Sequence, residues 1–176
     1  MARIVGYIAA SLDGFIATSD ENLDWLTQQP DLNLGEHDYR NFIKSIRTVV
    51  MGRTTYDWIA RYPGAWEYDD KRVIVVTSHP IDNPKGPLET RSDIDSLVAE
   101  LRALDDGDVW MLGGGKLQMA FIERGALDEI EVYVMSTLLG GGYPLFPPTG
   151  FFKENIELLE VNKLGTGCAR LLYRFN

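Results

Sequence analysis

The strongest constraint on the fold is that short apolar runs alternate with segments of helical periodicity through residues 3–124. Residues 73–76 form an unbroken apolar run, which is typical of a strand covered on both faces. The pattern predicts strands at 3–11, 48–52, 72–78 and 108–112, and helices at 36–46, 54–61, 94–104 and 116–124. Such alternation predicts an α/β fold with a largely parallel sheet.

The last third of the chain follows a different pattern, because three strand-like runs succeed one another with no helix between them. These runs cover residues 128–137, 155–164 and 168–175. Gly165 and Gly167 lie between the last two runs, where they favour a hairpin turn. Residues 140–150 are rich in glycine and proline and are predicted to form a loop. We therefore expect antiparallel strands at the C-terminal side of the sheet, in a single domain spanning residues 1–176.

Composition excludes several functional classes. A net charge of -9 disfavours nucleic acid and anionic membrane as partners. The single cysteine, Cys168, excludes an internal disulfide and suits the cytoplasm. His37 and His79 are the two histidines and lack metal-ligand spacing, so no metal site is predicted. No apolar stretch approaches the ~18 residues of a membrane-spanning helix.

Three predicted strands end in residues that suit an anionic ligand. Ligands in an open α/β sheet bind beyond the carboxyl ends of the strands, so these segments are expected to converge on one crevice. Glycines and helix N-termini offer backbone N–H groups to a phosphate, and Arg53 beside hydroxyl groups suits a further phosphate monoester. The segments are Gly52, Arg53, Thr54 and Thr55; Thr77, Ser78 and His79; and Gly113, Gly114, Gly115 and Lys116.

Each segment also has a simpler interpretation as a turn or a cap. Thr54 could cap a helix, Ser78 could begin a turn, and a glycine-rich turn after a strand is common. Lys116 is followed by Leu117 and not by Ser or Thr, which excludes a Walker P-loop. The glycines also lack the G-x-G-x-x-G spacing of the Rossmann fingerprint.

Four stretches together resemble the dihydrofolate reductase fold. The M-G-R-x-T-[WY] segment of that fold resembles "VVMGRTTYDWI", and its strand with a glycine pair resembles "WMLGGGKL". Its Phe-Pro loop resembles "GGGYPLFP", and its first strand and active-site loop resemble "GYIAASLDGFIA". Within the superfamily, "SLDGFIA", "LDWL", "MGRTTYD" and "GYPLF" are more similar to the reductase domain of the bifunctional riboflavin deaminase-reductase. The resemblance implies a three-layer αβα fold of the dihydrofolate reductase type.

The resemblance implies NADPH as the cofactor. It places Ala9 and Ile16 beside the nicotinamide and a cis peptide between Gly113 and Gly114. The other implied cofactor residues are Gly52, Arg53, Thr54 and Thr55 at the pyrophosphate and 2′-phosphate; Val76, Thr77 and Ser78 at the adenosine; and Gly115, Lys116 and Leu117 at the pyrophosphate.

The substrate side has two interpretations. By its position before "MGR", Asp38, and not Glu36, matches the carboxylate of the folate enzymes and is the candidate catalytic acid. Trp25, Phe42 and Tyr133 are the other candidate substrate residues. The alternative is that the acidic residues after Gly35 only stabilise a helix N-terminus.

The function implied by the resemblance is hydride transfer from NADPH to a small pteridine-like or ribosylaminopyrimidine-like substrate, as in 5-amino-6-(5-phosphoribosylamino)uracil reductase. The alternatives are a catalytically silent NADP-binding module, a dihydrofolate reductase or a broad-specificity reductase. No zinc-deaminase signature is present. Relatives in this branch are often homodimers built on their extra strands, so the resemblance also implies a homodimer, although the residues alone leave the oligomeric state open.

Overall fold

The computed structural model describes residues 1–28, 32–150 and 155–176. The strands are β1 (Ile4–Ser11), β2 (Phe15–Ala17), β3 (Ile46–Gly52), β4 (Arg72–Val76), β5 (Glu89–Arg91), β6 (Asp108–Gly113), β7 (Glu129–Met135), β8 (Tyr143–Pro144), β9 (Ile156–Leu164) and β10 (Cys168–Phe175). The helices are α1 (Asp24–Thr27), α2 (Tyr39–Phe42), α3 (Arg53–Arg61), α4 (Ile94–Arg102) and α5 (Gly115–Ile122), and a 3₁₀ turn covers Gly35–His37.

Eight of the strands form one sheet in the order β5-β4-β3-β6-β1-β7-β10-β9. The pairs from β5 through β7 are parallel, whereas β10 is antiparallel to both of its neighbours, β7 and β9. This arrangement confirms the predicted α/β class with antiparallel C-terminal strands. The turn predicted at Gly165 and Gly167 joins β9 to β10 as expected.

Among the described residues, the two larger of three apolar clusters cover opposite faces of the sheet. Neighbouring residues of β3 alternate between them, because successive side chains of a strand point to opposite faces. Val50 packs with residues of α4 and α5, such as Leu97 and Phe121. Val49 packs instead with Trp110 and the aromatic residues around α3. Burial on both faces explains why the central strands read as unbroken apolar runs.

The helix predicted at residues 36–46 is wrong. The backbone at Asp38 is extended, with φ -72 and ψ 158, and separates the 3₁₀ turn from α2. Its carboxylate accepts a hydrogen bond from the Asn41 N–H at 3.0 Å, so the aspartate begins a new helix and does not continue one. Helix α2 then ends after one turn, and Ile46 already belongs to β3.

Several predicted bounds also change. The strand predicted at 72–78 ends at Val76, and the helix predicted at 116–124 spans Gly115–Ile122. The predicted loop at 140–150 contains β8, which pairs antiparallel with β2 in a separate two-stranded sheet. Such pairing depends on residues far apart in the chain, and local periodicity does not show it.

Candidate cofactor and substrate site

The three glycine- and hydroxyl-bearing strand ends lie side by side. Strands β4, β3 and β6 are consecutive in the sheet and parallel. Gly52 is opposite Val76, and Met51 is opposite Gly113. The carboxyl ends of the three strands therefore meet at one edge, which confirms the predicted convergence.

The glycine pair after β6 forms the centre of this edge. The peptide bond between Gly113 and Gly114 is cis, as the resemblance implied. A Cβ on Gly114 would lie 3.4 Å from Thr55 Oγ1 and 4.0 Å from Ile16 Cδ1. A side chain would thus fill the space where three of the predicted cofactor residues meet. Gly114 is partly exposed and has no side chain, which fits the close approach of a phosphate to its backbone.

Helices α3 and α5 begin at this edge, and each has a glycine as its N-cap. Gly52 is the N-cap of α3 and Gly114 is the N-cap of α5; in this described part of the chain neither helix has a side-chain cap. The first amides of both helices are directed toward the same edge, where their partial positive charge favours an anion. Thr54 and Lys116 are exposed there, whereas Leu117 is buried in the core. These features fit the diphosphate of a dinucleotide.

Arg53 is held beside the segment that follows β4. Its Nε donates to Asp57 Oδ1 at 2.8 Å, and its Nη1 donates to the Pro80 carbonyl at 3.1 Å. Thr77 Oγ1 accepts from the His79 N–H at 3.1 Å, and Ser78 Oγ lies 3.1 Å from His79 Nδ1. Asp57 was not among the predicted site residues, although its i,i+4 spacing from Arg53 indicates such a pair.

The loop after β1 is fastened to the loop that contains β8. Asp13 accepts from the N–H groups of Leu139 at 3.1 Å and Gly140 at 2.7 Å, and from Ser11 Oγ at 2.6 Å. These bonds, the Ser11 hydroxyl first, lower the pKa of Asp13 to about 2. Ile16 is therefore held near the glycine pair by contacts that the sequence analysis did not predict.

On the substrate side, Asp38 uses its carboxylate as a helix cap. One oxygen accepts from the Asn41 N–H, and the other lies 3.3 Å from Arg40 Nε. The side chain is 28% exposed. This geometry is the one that the simpler interpretation anticipates, and the catalytic role of Asp38 stays a prediction.

The remaining candidate substrate residues lie on the same face of the sheet as Ala9. Tyr133 is opposite Ala9 in the β1–β7 pair and is buried, with its hydroxyl 2.8 Å from both the His37 carbonyl and Glu131 Oε2. Burial, followed by the charge of Glu131, raises the pKa of Tyr133 above its usual range. Phe42 stacks on Tyr7 with the ring centroids 4.4 Å apart. Trp25 packs over the cluster that contains Tyr133.

A cavity of about 260 Å³ lies at the opposite ends of the strands. Its walls include Arg3 just before β1, Asp108 at the start of β6, and Glu129 and Glu131 of β7. Of the candidate site residues it contains Phe42 alone. Its carboxylates are unsuited to phosphate, in contrast to the glycine-lined edge.

The described residues form neither a cluster of metal ligands nor a membrane-spanning helix. Among residues 1–28, 32–150 and 155–176, no three His, Cys, Asp or Glu side chains are grouped so that they could hold a metal ion. Within the same ranges, none of the helices has the length and apolar character that crossing a membrane requires.

Comparison with known sequences identifies one domain family. The model of the RibD C-terminal domain matches residues 3–169. The uncharacterized protein YwjB of Bacillus subtilis is 33% identical over 146 residues, covering 82% of this chain and 82% of YwjB. The riboflavin biosynthesis protein RibD of Corynebacterium ammoniagenes is 29% identical over 147 residues, covering 76% of this chain and 43% of that protein.

Comparison with solved structures supports the same fold. A putative riboflavin biosynthesis protein from Shewanella sp. PV-4 superposes with a TM-score of 0.85 at 26% identity, covering 100% of this chain and 99% of that one. Dihydrofolate reductase from Enterococcus faecalis, complexed with NADP(H), superposes with a TM-score of 0.63 at 18% identity, covering 99% of this chain and 96% of that one. At that identity the second likeness concerns the fold alone.

Proposed function

The chain belongs to the RibD C-terminal domain family, and on that premise we propose that it is an NADPH-dependent reductase of a ribosylaminopyrimidine-like or pteridine-like substrate. Residues 1–176 are proposed to form one such domain. The observation that carries the proposal is the glycine-lined edge, where Gly114 meets Thr55 and Ile16 between two helix N-termini. The relatives named for riboflavin biosynthesis support the same role.

In this proposal NADPH supplies the hydride, and the residues of the chain bind and orient it. The first amides of α3 and α5 bind the diphosphate, because a glycine N-cap places no side chain in front of these N–H groups. Ala9 and Ile16 lie beside the nicotinamide, and residues 76–78 beside the adenosine. Arg53, fixed by Asp57 and Pro80, supplies the positive charge for the 2′-phosphate.

The cofactor assignment is tested by replacing Arg53 with alanine. The loss of a charge-assisted contact is expected to weaken NADPH binding by roughly 10- to 100-fold, from about 1.5–3 kcal/mol per such bond. NADH, which lacks the 2′-phosphate, is expected to lose less than about 3-fold. Tryptophan fluorescence quenching measures both affinities.

Arg124→Ala is the matched control. It removes the same charge from the C-terminal end of α5, where Arg124 pairs with the exposed Asp95. Equal losses for NADPH and NADH in the Arg53 variant would contradict the proposed 2′-phosphate contact. Weakening by the Arg124 variant to the same degree would mean that only net charge matters.

A catalytically silent NADP-binding module is the second candidate, and one observation favours it. The carboxylate of Asp38, the candidate acid, is already engaged at the start of α2. Steady NADPH oxidation with 5-amino-6-(5-phosphoribosylamino)uracil, pterins or flavins distinguishes the candidates. Turnover restricted to the aminopyrimidine supports the specific reductase, turnover of dihydrofolate supports a dihydrofolate reductase, and slow turnover of many compounds supports a broad-specificity reductase.

We also propose that the protein forms a homodimer through the β9–β10 end of the sheet. In the described ranges, β9 is the last strand of the sheet and pairs only with β10. Ile156, Leu158 and Val161 on this strand are 40%, 49% and 61% exposed. An exposed, apolar edge strand of this kind is a surface that proteins usually cover. Sedimentation of the wild type and of Val161→Lys tests the assignment: a dimer that the variant dissociates supports it, and a wild-type monomer contradicts it.

A further inference from the structure

The carbonyl oxygen of His37 lies within hydrogen-bond distance of two tyrosine hydroxyls of the sheet. Tyr7 Oη of β1 lies 3.1 Å from the His37 oxygen, and Tyr133 Oη of β7 lies 2.8 Å from it. The next residue along the chain is Asp38, whose carboxylate caps α2. The two tyrosines therefore bind the His37–Asp38 peptide group, and Asp38 is the candidate acid of the proposed reductase.

The proton of Tyr133 has more than one possible acceptor, which gives the second hydroxyl a role. Tyr133 has one proton but two acceptors at 2.8 Å, the His37 carbonyl and Glu131 Oε2. Glu131 also accepts from Arg170 Nε at 2.7 Å, so its carboxylate is an acceptor. When Tyr133 donates to the charged carboxylate, which is the stronger acceptor, Tyr7 supplies the proton for the His37 carbonyl.

The tyrosine pair is itself anchored by a buried ionic group. Arg170 has a 5% exposed side chain and donates to Glu131, to Glu160 Oε2 at 2.7 Å and to Asn162 Oδ1 at 2.8 Å. Phe42 of α2 stacks on the Tyr7 ring. Tyr7 is therefore in contact with both sides of Asp38, the carbonyl before it and the helix after it.

We propose that Tyr7 and Tyr133 are positioning residues, which hold the His37–Asp38 peptide and thereby fix the position of the Asp38 carboxylate, the candidate acid. The inference rests on the proposed reductase function, and it changes the role expected of Tyr133. The resemblance implied a substrate contact for Tyr133, whereas its hydroxyl lies within hydrogen-bond distance of the His37 carbonyl and Glu131. Burial raises the pKa of Tyr7 to about 12, so its hydroxyl keeps its proton at neutral pH.

The experiment compares Tyr7→Phe, Tyr133→Phe and the double variant with Tyr56→Phe in the full chain. Tyr56 is an equally buried tyrosine, whose hydroxyl accepts from the Lys85 N–H at 3.1 Å, away from Asp38. Each single variant keeps its ring and loses one hydroxyl, and the double variant loses two. The measurements are kcat and KM with 5-amino-6-(5-phosphoribosylamino)uracil, the NADPH dissociation constant, and amide hydrogen exchange at Asn41 and Phe42, whose N–H groups bond to Asp38.

Positioning predicts a specific combination of results. In Tyr133→Phe and Tyr7→Phe, kcat falls by about 10-fold or more because the acid is misplaced, while the NADPH dissociation constant stays within about 2-fold of wild type. Exchange at Asn41 and Phe42 accelerates in both, and more in the double variant. Tyr56→Phe leaves kcat and these two amides unchanged.

Two results would overturn the proposal. Wild-type exchange at Asn41 and Phe42 in the double variant would show that the hydroxyls do not hold the segment. Accelerated exchange with unchanged kcat would show that the held segment does not orient a catalytic group. If the wild type oxidises no NADPH, the proposed reductase function fails, and the exchange of the two amides still decides whether the tyrosines hold Asp38.

Discussion

Replacing Gly115 with alanine tests how closely the loop containing β8 covers the start of α5. A Cβ at this position would lie 2.5 Å from the Pro144 carbonyl oxygen, 2.9 Å from the Leu145 carbonyl oxygen and 2.8 Å from Pro147 Cδ. Ordinary contact begins at 3.4 Å, so the closest atom must retreat by about 0.9 Å (3.4 − 2.5). Two of the three atoms are backbone, which cannot rotate away as the end of a long side chain can.

Two effects of opposite sign decide the magnitude. Alanine is a better helix former than glycine by about 0.8–1 kcal/mol in a helix interior, and by less at the first position of a helix. Overpacking of a close-packed region costs about 1–3 kcal/mol. The net expectation is a loss of about 1–2 kcal/mol in the free energy of unfolding. For a chain of this size that corresponds to a decrease in Tm of roughly 2–8 °C.

Thermal unfolding followed by circular dichroism measures the effect, and Gly141→Ala is the control. A Cβ on Gly141 would meet nothing within 4 Å, so this variant is expected to match the wild type. A Gly115 variant as stable as the wild type, or more so, would refute the close packing. NADPH binding is expected to weaken in the same variant, since the displaced segment lies against α5, the helix proposed to bind the diphosphate.

Three further predictions concern charge. Arg170→Met keeps an unbranched aliphatic stem but leaves Glu131 without its guanidinium partner, and is expected to cost about 3 kcal/mol in urea unfolding, a loss that an unchanged midpoint would contradict. The lowered pKa of Asp13 means that its stabilising contribution is present above its usual pKa and is lost as pH falls toward about 2; the stability difference between wild type and Asp13→Asn should therefore shrink over that interval. Burial raises the pKa of Tyr7 and of Tyr39 to about 12, so stability should fall as pH rises from about 10 to 12, and the fall should be smaller in Tyr7→Phe and in Tyr39→Phe than in the wild type.

The central sheet and the cofactor edge were predictable because each follows from a local signal. Unbroken apolar runs such as residues 73–76 occur where both faces of a strand are covered, and the carboxyl ends of adjacent parallel strands meet by geometry. The convergence of Gly52, Gly113 and Val76 needed only those two facts. The cis peptide at Gly113 required the family resemblance, because nothing in the local sequence distinguishes it from an ordinary turn.

The substrate side was less predictable because side-chain hydrogen bonds there, and not the spacing of apolar residues, decide where the helix begins. Asp38 lies one turn before Phe42, which suggested a continuous helix, but an aspartate side chain also bonds the amide three residues later and so begins a helix of its own. The hydroxyl of Tyr133 finds partners on two other segments, Glu131 and the residue before Asp38. Contacts of that kind depend on the assembled fold and leave no periodic trace in the chain.

The place of β1 in the sheet has a consequence for how the chain folds during synthesis. Its partners are β6 and β7, and the first register pair joins Ile4 to Val109, a separation of 105 residues (109 − 4). At about 5–20 residues per second, a ribosome needs roughly 5 to 20 seconds to make that stretch. An apolar strand thus leaves the exit tunnel early and remains without its neighbours until most of the chain exists. During that interval we expect chaperones to bind β1. We expect them to release it only after β7 has emerged from the ribosome.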